Sequence, residues 1–185
     1  EAEIFSRHID AAKNPLFKGI WSNQYRKMRA YEQKIVHAFD VVIAVSERDA
    51  KQFTEDYKLD DVFCIPTGVD LEFFTYSAPS RFDDIVFCGS MDWMANQDAI
   101  EYFLDEIWPK IMQKRPQSRF TIVGRNPPRS LRDRASKFDE RVVFTGYVDD
   151  VRRFIRGAAA SVIPMRVGGG TRLKVYEAMA IGTPL

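Results

Sequence analysis

The sequence contains no run of about eighteen apolar residues, which is the length that a membrane-spanning helix needs. It has no signal-peptide pattern and does not begin with Met, so we expect a piece of a longer gene product. Hydrophobic residues make up 45% and charged residues 29% of its 185 positions, which is typical of a globular protein. That length suits one domain, or one domain and part of another.

Cysteine and histidine are scarce. Cys64 and Cys88 lie in two separate apolar segments, so two buried free thiols in a reducing compartment are favoured over a disulfide. His8 and His37 have no cysteine or carboxylate cluster at ligand spacing, which argues against zinc. No Asp-x-Asp triplet, the simplest clamp for a divalent metal on a diphosphate, occurs either. We therefore expect a cytoplasmic protein that uses no metal and no cofactor.

The net charge of +1 hides an uneven distribution. Residues 1–114 hold 13 Lys/Arg against 20 Asp/Glu, and residues 115–174 hold 14 against 5. The basic second half favours an anionic ligand or surface, although the three arginines within 129–134 would equally suit the solvated face of a helix. Nucleic acid is disfavoured, because the basic residues are not interleaved with stacking aromatics and no nucleic-acid motif occurs.

The first part of the chain predicts alternating helices and strands. A long helix is expected over residues 23–39 because apolar residues recur there at helical spacing. Ser46 is expected to cap a helix over 47–56, with Asp49 as its capping-box partner. Two apolar runs are typical of buried strands. DVVIAV at 40–45 is expected to be buried on both faces, and VFCI at 62–65 is expected to be another buried strand.

The second part alternates more regularly, after a connector over 71–82 with a domain boundary near Thr75. This alternation predicts an α/β, Rossmann-like parallel sheet with helices on both faces. Ligands of such sheets bind beyond the carboxyl ends of the strands. The expected strands are 85–88, 120–123, 142–145 and 160–163. The expected helices are 96–113, 131–138, 149–156 and 172–181.

The last eighteen residues, GGGTRLKVYEAMAIGTPL, suit an anion. Glycine amides at a helix start can approach a phosphate, and Arg172 and Lys174 add positive charge. The segment is neither a Walker loop nor a dinucleotide fingerprint, because Leu173 occupies the position of the third glycine. A generic anion nest remains, with a flexible, tightly packed loop as the alternative.

Glu177 follows within the same predicted helix. Its neighbours Val175, Met179 and Ile181 are apolar, so we expect the helix to be mostly buried. A buried carboxylate needs hydrogen-bond donors. A vicinal diol would supply two of them.

The segment PMRVGGGTRLKVYEAMAIGTPL resembles the nucleotide-sugar motif of retaining glycosyltransferases of family 4, which have the two-domain GT-B fold. The resemblance covers essentially the whole chain. It implies that residues 1–75 are the end of the acceptor-side domain and that residues 76–185 are most of the donor-binding domain. It also implies further chain at each end, so that these residues alone would not catalyse. The other similar segments are VVIAVSE, IPTGVDLEFF, IVFCGSMDWMANQDAIEYF, FTIVGRNPP and VVFTGYVDDV.

The resemblance also implies roles for residues of the donor site. Glu177 matches the second of two family glutamates and would hold the ribose hydroxyls. Gly169 stands where the first glutamate is usual, and Ser90 and Asn96 stand in the region where the family often has an Arg and a Lys. Gly89, at the end of the first strand of this domain, is assigned to the same site.

We expect the missing charge to be supplied by Arg172 and Lys174. With the amides of Gly169 and Gly170 they would bind the diphosphate and stabilise the departing nucleotide. Tyr147 and Val148 would line the base pocket, with ordinary packing at a strand end as the alternative.

The implied activity is transfer of a sugar from a UDP-, GDP- or ADP-sugar, with retention of configuration, to a glycan or lipid-linked acceptor in cell-surface polysaccharide assembly. Residues 16–28 mix aromatic and basic side chains and would either touch the inner face of an anionic membrane or pack on the first domain. The alternatives are a non-catalytic nucleotide-binding module, a nucleotide-sugar epimerase of the same fold and a dinucleotide-binding domain.

Overall fold

The computed structural model describes residues 2–12, 14–78, 83–167 and 171–185. The chain forms two compact units, which are Glu1–Gly68 with Val167–Thr171, and Val69–Arg166 with Arg172–Leu185. Part of the predicted connector packs on the second unit, since Arg152 Nη1 donates a hydrogen bond to Phe73 O at 2.9 Å. The two units thus meet in the sequence between Gly68 and Val69, which is before the domain boundary predicted near Thr75.

The first unit contains three helices and two strands in its described residues. The second helix begins at Pro15, earlier than predicted, because Asn14 accepts a hydrogen bond from Leu16 N and Pro15 suits a first helical turn. The predicted cap of the third helix is confirmed, since Ser46 Oγ accepts from Asp49 N at 3.1 Å. The elements are α1 Ala2–Ala11, α2 Pro15–Val36, β1 Val42–Ala44, α3 Glu47–Tyr57 and β2 Val62–Cys64.

Strands β1 and β2 pair in parallel, with Ile43 opposite Phe63. The prediction that the apolar run at 40–45, which contains β1, is buried on both faces is wrong for this chain. The run at 62–65, which contains β2, is also partly exposed. Ile43 is 58% and Phe63 is 56% exposed, while Ala44 is buried. The reason is that helix α3 contacts these strands, and no other described helix of this unit covers the exposed side.

The second unit is built on four parallel strands in the order β5-β4-β3-β6. Its long helix α4–α5 contains a π-helical turn, Phe103–Ile107, in which Trp108 N donates to Phe103 O. The strands are β3 Asp84–Cys88, β4 Arg119–Val123, β5 Val142–Gly146 and β6 Ala160–Ser161. The α-helices are α4 Met94–Tyr102, α5 Trp108–Lys114, α6 Arg129–Ala135, α7 Arg152–Gly157 and α8 Leu173–Ile181, and Ser136–Arg141 is 3-10.

Alternate side chains of β3 enter two separate cores, as the period of a strand requires. Phe87 packs with Phe120 of β4 and with residues of α4, α5 and α6. Val86 and Cys88 pack on the opposite face with residues of α7 and α8. The prediction of a parallel sheet covered by helices on both faces is therefore confirmed.

The order of the strands locates a crevice. From β3 the chain adds β4 and β5 on one side, and β6 then pairs with the other side of β3. The connections that follow β3 and β6 therefore diverge at the carboxyl ends of these strands, where open α/β sheets bind their ligands. In the parts of the chain that the structure describes, no helix is both long enough and apolar enough to cross a bilayer.

Candidate functional site at the ends of β3 and β6

The residue that follows β3, Gly89, is closely approached by two side chains. A Cβ on Gly89 would lie 2.8 Å from Asn96 Nδ2 and 3.0 Å from Lys174 Nζ. Both distances are too short for a carbon atom in ordinary contact. The predicted site residue Gly89 thus leaves room for side chains that come from α4 and α8.

Lys174 extends from the first turn of α8 to this position. Its Nζ donates a hydrogen bond to Asn96 Oδ1 at 3.1 Å and lies 4.4 Å from the centre of the Phe87 ring. The pKa of Lys174 is lowered to about 8, chiefly by burial and also by Arg172, while Cys88 and Glu177 act in the opposite direction. The ammonium is therefore charged at neutral pH in a place poorly suited to a charge.

Glu177 lies one turn further along α8 and is half-buried. Burial raises the pKa of its carboxyl group, and the nearby Lys174 lowers it. No hydrogen bond to this carboxylate is found among the described residues. The expectation of a mostly buried helix holds for Ala178 and Ile181, but Met179 is 60% exposed, so only one side of α8 enters the core.

Arg172 immediately precedes α8 and is half-buried. Within the described ranges its guanidinium forms no hydrogen bond or ion pair, so that group is available to an anion. It is close enough to Lys174 to lower the pKa of that residue. The structure thus brings Arg172, Lys174 and Glu177 together with Gly89. Gly169 and Gly170 lie outside the described residues, and their assignment stays a prediction.

A third cation, which the sequence analysis missed, lies beside Ser90. Arg125 Nε donates to Asp92 Oδ2 at 2.8 Å, and Ser90 Oγ donates to the same oxygen at 2.9 Å. Hydrogen bonds from Asn126 and Ser90, together with Arg125, hold the pKa of Asp92 below its usual value. The signal was present in the sequence, because Gly124-Arg125 follows β4 as Gly89-Ser90 follows β3.

The structure separates the two residues that were predicted to contact the base. Tyr147 is 73% exposed and lines a cleft of about 590 Å³, together with Arg125, Asn126 and Thr145. Val148 instead packs against the hydrophobic core beneath α7 and α8. A turn at Gly146, whose φ is +74°, precedes them. Of the two, the exposed Tyr147 is the better placed to meet a ligand.

The chemistry of this arrangement suits an anion that also carries hydroxyl groups. Two cations that are not paired with a carboxylate stand beside an acceptor without a donor, at the crevice that the strand order creates. Among the residues for which the structure gives positions, no three His, Cys, Asp or Glu side chains gather to hold a metal ion.

Two family models match this chain. "Glycosyl transferases group 1" matches residues 83–185, and "Glycosyltransferase Family 4" matches residues 4–73. The phosphatidyl-myo-inositol mannosyltransferase of Mycobacterium tuberculosis is 30% identical over 163 residues, which are 84% of this chain and 41% of that protein. The chain thus spans about two fifths of the length of the curated relatives it matches.

Solved structures show the same fold at lower identity. Staphylococcus aureus TarM, solved with fondaparinux, α-GlcNAc-glycerol and UDP, has a TM-score of 0.66 at 17% identity, over 83% of this chain and 31% of that one. Anabaena HepE, solved with UDP and glucose, has a TM-score of 0.65 at 16% identity, over 84% and 46%. The chain belongs to the glycosyl transferases of group 1 and has the fold of GT-B glycosyltransferases.

Proposed function

We propose that the protein containing this chain transfers a sugar from a nucleoside-diphosphate sugar to a glycan or a lipid-linked acceptor. The observation that carries the proposal is the group formed by Lys174, Arg172 and Glu177 beside Gly89. It places positive charge and an unsatisfied carboxylate at the crevice between β3 and β6. A nucleoside diphosphate presents matching features, because it has a diphosphate and a ribose diol.

The two cations bind the diphosphate. When the bond between the sugar and the diphosphate breaks, negative charge grows on the departing phosphate oxygen. Cationic groups held beside that oxygen lower the energy of the transition state. Lys174 is held by Asn96 and Phe87 before the donor arrives, so little reorganisation is needed during the reaction. The proposed chemistry uses these side chains and no metal ion.

The nucleoside half of the donor is bound by the carboxylate and by the cleft. Glu177 accepts hydrogen bonds from the ribose hydroxyls. These bonds replace part of the solvation that its half-buried carboxylate loses on folding. The base lies toward Tyr147, whose exposed ring offers a stacking surface at the mouth of the cleft. UDP, GDP and ADP sugars all fit this description.

We further propose that configuration at the sugar is retained, from the likeness to family 4. The acceptor and any general base are supplied by residues outside this chain, and so these 185 residues alone do not transfer sugar. The length of the relatives supports this part of the proposal, because the chain covers only 41% of the mycobacterial mannosyltransferase.

A lipid-linked acceptor would place the protein at the inner face of a membrane. The name of the mycobacterial relative points to an acceptor with a lipid part. At the start of α2, Leu16 is 69% and Phe17 is 53% exposed, and Lys18 lies beside them. Apolar and basic side chains in one helical turn suit an anionic interface. We expect the full-length protein to bind anionic liposomes at low salt, and Leu16→Ser/Phe17→Ser to weaken that binding. Equal binding by the variant, or none by the wild type, favours packing of α2 within the protein.

The proposed function is tested by a thermal-shift screen of the full-length protein with UDP, GDP and ADP and with their sugars. A nucleoside diphosphate at a hundred times its Kd should add about 2.7 kcal/mol to the stability. The donor found in this way is then incubated with glycan and lipid-linked acceptors, and the product is identified by mass spectrometry. Stabilisation followed by transfer supports the proposal. Binding without transfer to any acceptor indicates a non-catalytic module, and no binding contradicts the proposal.

A further inference from the structure

We propose that Asn96 is a positioning residue, which holds the Lys174 ammonium at the end of β3 in the orientation that meets the diphosphate. The inference rests on the proposed function, because it concerns how the donor site presents its charge. Asn96 lies in the first turn of α4 and is 7% exposed. The two residues are 78 positions apart in the chain and are joined by one hydrogen bond.

The orientation of the Asn96 amide follows from its neighbours. Its Nδ2 donates to the main-chain oxygen of Ser90 at 2.8 Å, and its Oδ1 accepts from Lys174 Nζ at 3.1 Å. A flipped amide would set an oxygen against an oxygen and an NH2 group against an ammonium. The loop after β3 therefore fixes Asn96, and Asn96 in turn fixes the ammonium.

The ammonium has unused capacity and no counter-ion. Of its three N–H donors, one is directed to Asn96, and the Phe87 ring lies on another side. In the described part of the chain no carboxylate lies within ion-pair distance of it. An unpaired and largely desolvated cation is costly for a folded protein, so its retention at the crevice points to an anionic ligand.

A neutral amide suits this task better than a carboxylate. Asn96 Oδ1 carries a partial negative charge, which attracts the ammonium without cancelling its net charge. Aspartate at the same position would form an ion pair and leave almost no net charge for a diphosphate. The absence of a Cβ at Gly89 leaves room for the amide and the ammonium in this place.

The groups that face Lys174 come from every element around it. They are the thiol of Cys88 on β3, the carboxylate of Glu177 on α8, the guanidinium of Arg172 before α8, and the neutral Asn96 on α4. Since the pKa of Lys174 is about 8, the affinity for a diphosphate should fall as the pH rises through that value.

The test uses the full-length protein and two substitutions with opposite electrostatic effects. Asn96→Asp should raise the pKa of Lys174 by pairing it, and Asn96→Ala should lower it by removing an acceptor that favours the charged form. The pKa is followed by NMR of lysine side chains without ligand. Affinity for UDP, GDP and ADP is measured by calorimetry from about pH 6 to about pH 10, a range that extends about two pH units on either side of the shifted pKa of Lys174.

Gln97 provides the matched control. It is the next residue of α4, and its Nε2 donates to the main-chain oxygen of Met91 at 2.5 Å, so it anchors the same loop. In the part of the chain that the structure describes, it forms no hydrogen bond with Lys174. Gln97→Glu and Gln97→Ala remove the same kind of bond to the loop. Thermal unfolding of all four variants shows which of them remain folded. If one Asn96 variant fails to fold, the other, compared with the matching Gln97 variant, still tests the inference.

The inference predicts opposite shifts of the Lys174 pKa in the two Asn96 variants, and no shift in the Gln97 variants. It also predicts that Asn96→Asp loses about tenfold in affinity at neutral pH. An unmoved Lys174 pKa, or equal effects of the Asn96 and Gln97 variants, overturns it while the proposed function stands. If the wild type binds no nucleoside diphosphate, the proposed function itself fails and the inference fails with it.

Discussion

The carbonyl oxygen of Gly89 occupies the place where a Cβ on Gly124 would stand. Gly89 N also donates to Val123 O at 2.8 Å, so a hydrogen bond joins the ends of β3 and β4 beside this contact. Glycine is therefore needed at Gly124, where a Cβ would meet main-chain atoms, whereas a Cβ on Gly89 would meet only the ends of side chains. The position of the crevice at the ends of β3 and β6 depends on this contact.

Gly124→Ala should lower the free energy of unfolding by about 2 kcal/mol or more, because the new methyl group must displace a main-chain carbonyl. Urea unfolding of the protein measures the change. Gly19→Ala is the control, since a Cβ there meets nothing within 4 Å and the residue lies within α2. It should stabilise the helix by about 0.5–1 kcal/mol. Equal stability of the two variants would contradict the close contact.

Glu177→Gln should weaken binding of a nucleoside diphosphate about tenfold, because a charged acceptor for the ribose hydroxyls is replaced by a neutral one. Inorganic pyrophosphate has no ribose, so its affinity should not fall. Calorimetry with both ligands separates the two effects. Glu106→Gln, an exposed carboxylate in the π-helical turn, is the control. Equal losses for both ligands would mean that Glu177 acts on the diphosphate and not on the ribose.

Lys174 should make the stability depend on pH. Its pKa is about 8 in the folded chain and 10.5 ordinarily, so between these values the unfolded chain binds more protons. The contribution of Lys174 to the free energy of unfolding therefore rises with pH in this window, by up to about 3 kcal/mol. The difference in stability between the wild type and Lys174→Met measures this rise.

Cys88 titrates in an overlapping range with the opposite sign, because burial raises its pKa to about 12. Its contribution is nearly the same in both proteins and largely cancels in the difference. A difference that stays constant with pH would show that the Lys174 ammonium is as well solvated in the folded chain as in the unfolded one.

Tyr147→Ala and Val148→Ala should have opposite consequences. Tyr147 is 73% exposed beside the cleft, so its removal should leave stability within about 0.5 kcal/mol and reduce nucleotide affinity. Val148 packs in the core, so its removal should cost about 1–2 kcal/mol and leave affinity unchanged. Thermal unfolding and calorimetry on the same samples decide. If only Val148→Ala lost nucleotide affinity, Val148 and not Tyr147 would be the residue that contacts the nucleotide.

The architecture of the second unit could be predicted from local sequence. Short β-branched and aromatic runs alternate with helical periods, and this pattern leaves few arrangements other than a parallel sheet. The cap at Ser46 was equally readable, because capping depends on residues three positions apart. The burial of β1 and β2 could not be predicted in the same way. An apolar run shows that a strand can be covered on both faces, but not whether Ile43 and Phe63 meet a neighbour.

The donor site could be predicted only in part. Arg172, Lys174 and Glu177 stand close together in sequence, so helical spacing brings them together. The partner of Lys174 comes from α4, 78 residues earlier, and spacing says nothing about such a pair. The difference between Tyr147 and Val148 likewise depends on which side chain enters the core beneath α7 and α8.

The central claim is that Arg172 and Lys174 bind the diphosphate of a nucleotide sugar. The most direct measurement is the affinity of full-length wild type and of Arg172→Ala/Lys174→Ala for the nucleoside diphosphate that stabilises the protein most. With two cations removed, the account predicts a loss of about a hundredfold or more at neutral pH, with the fold retained. A folded double variant that binds the nucleoside diphosphate as tightly as the wild type would contradict the account.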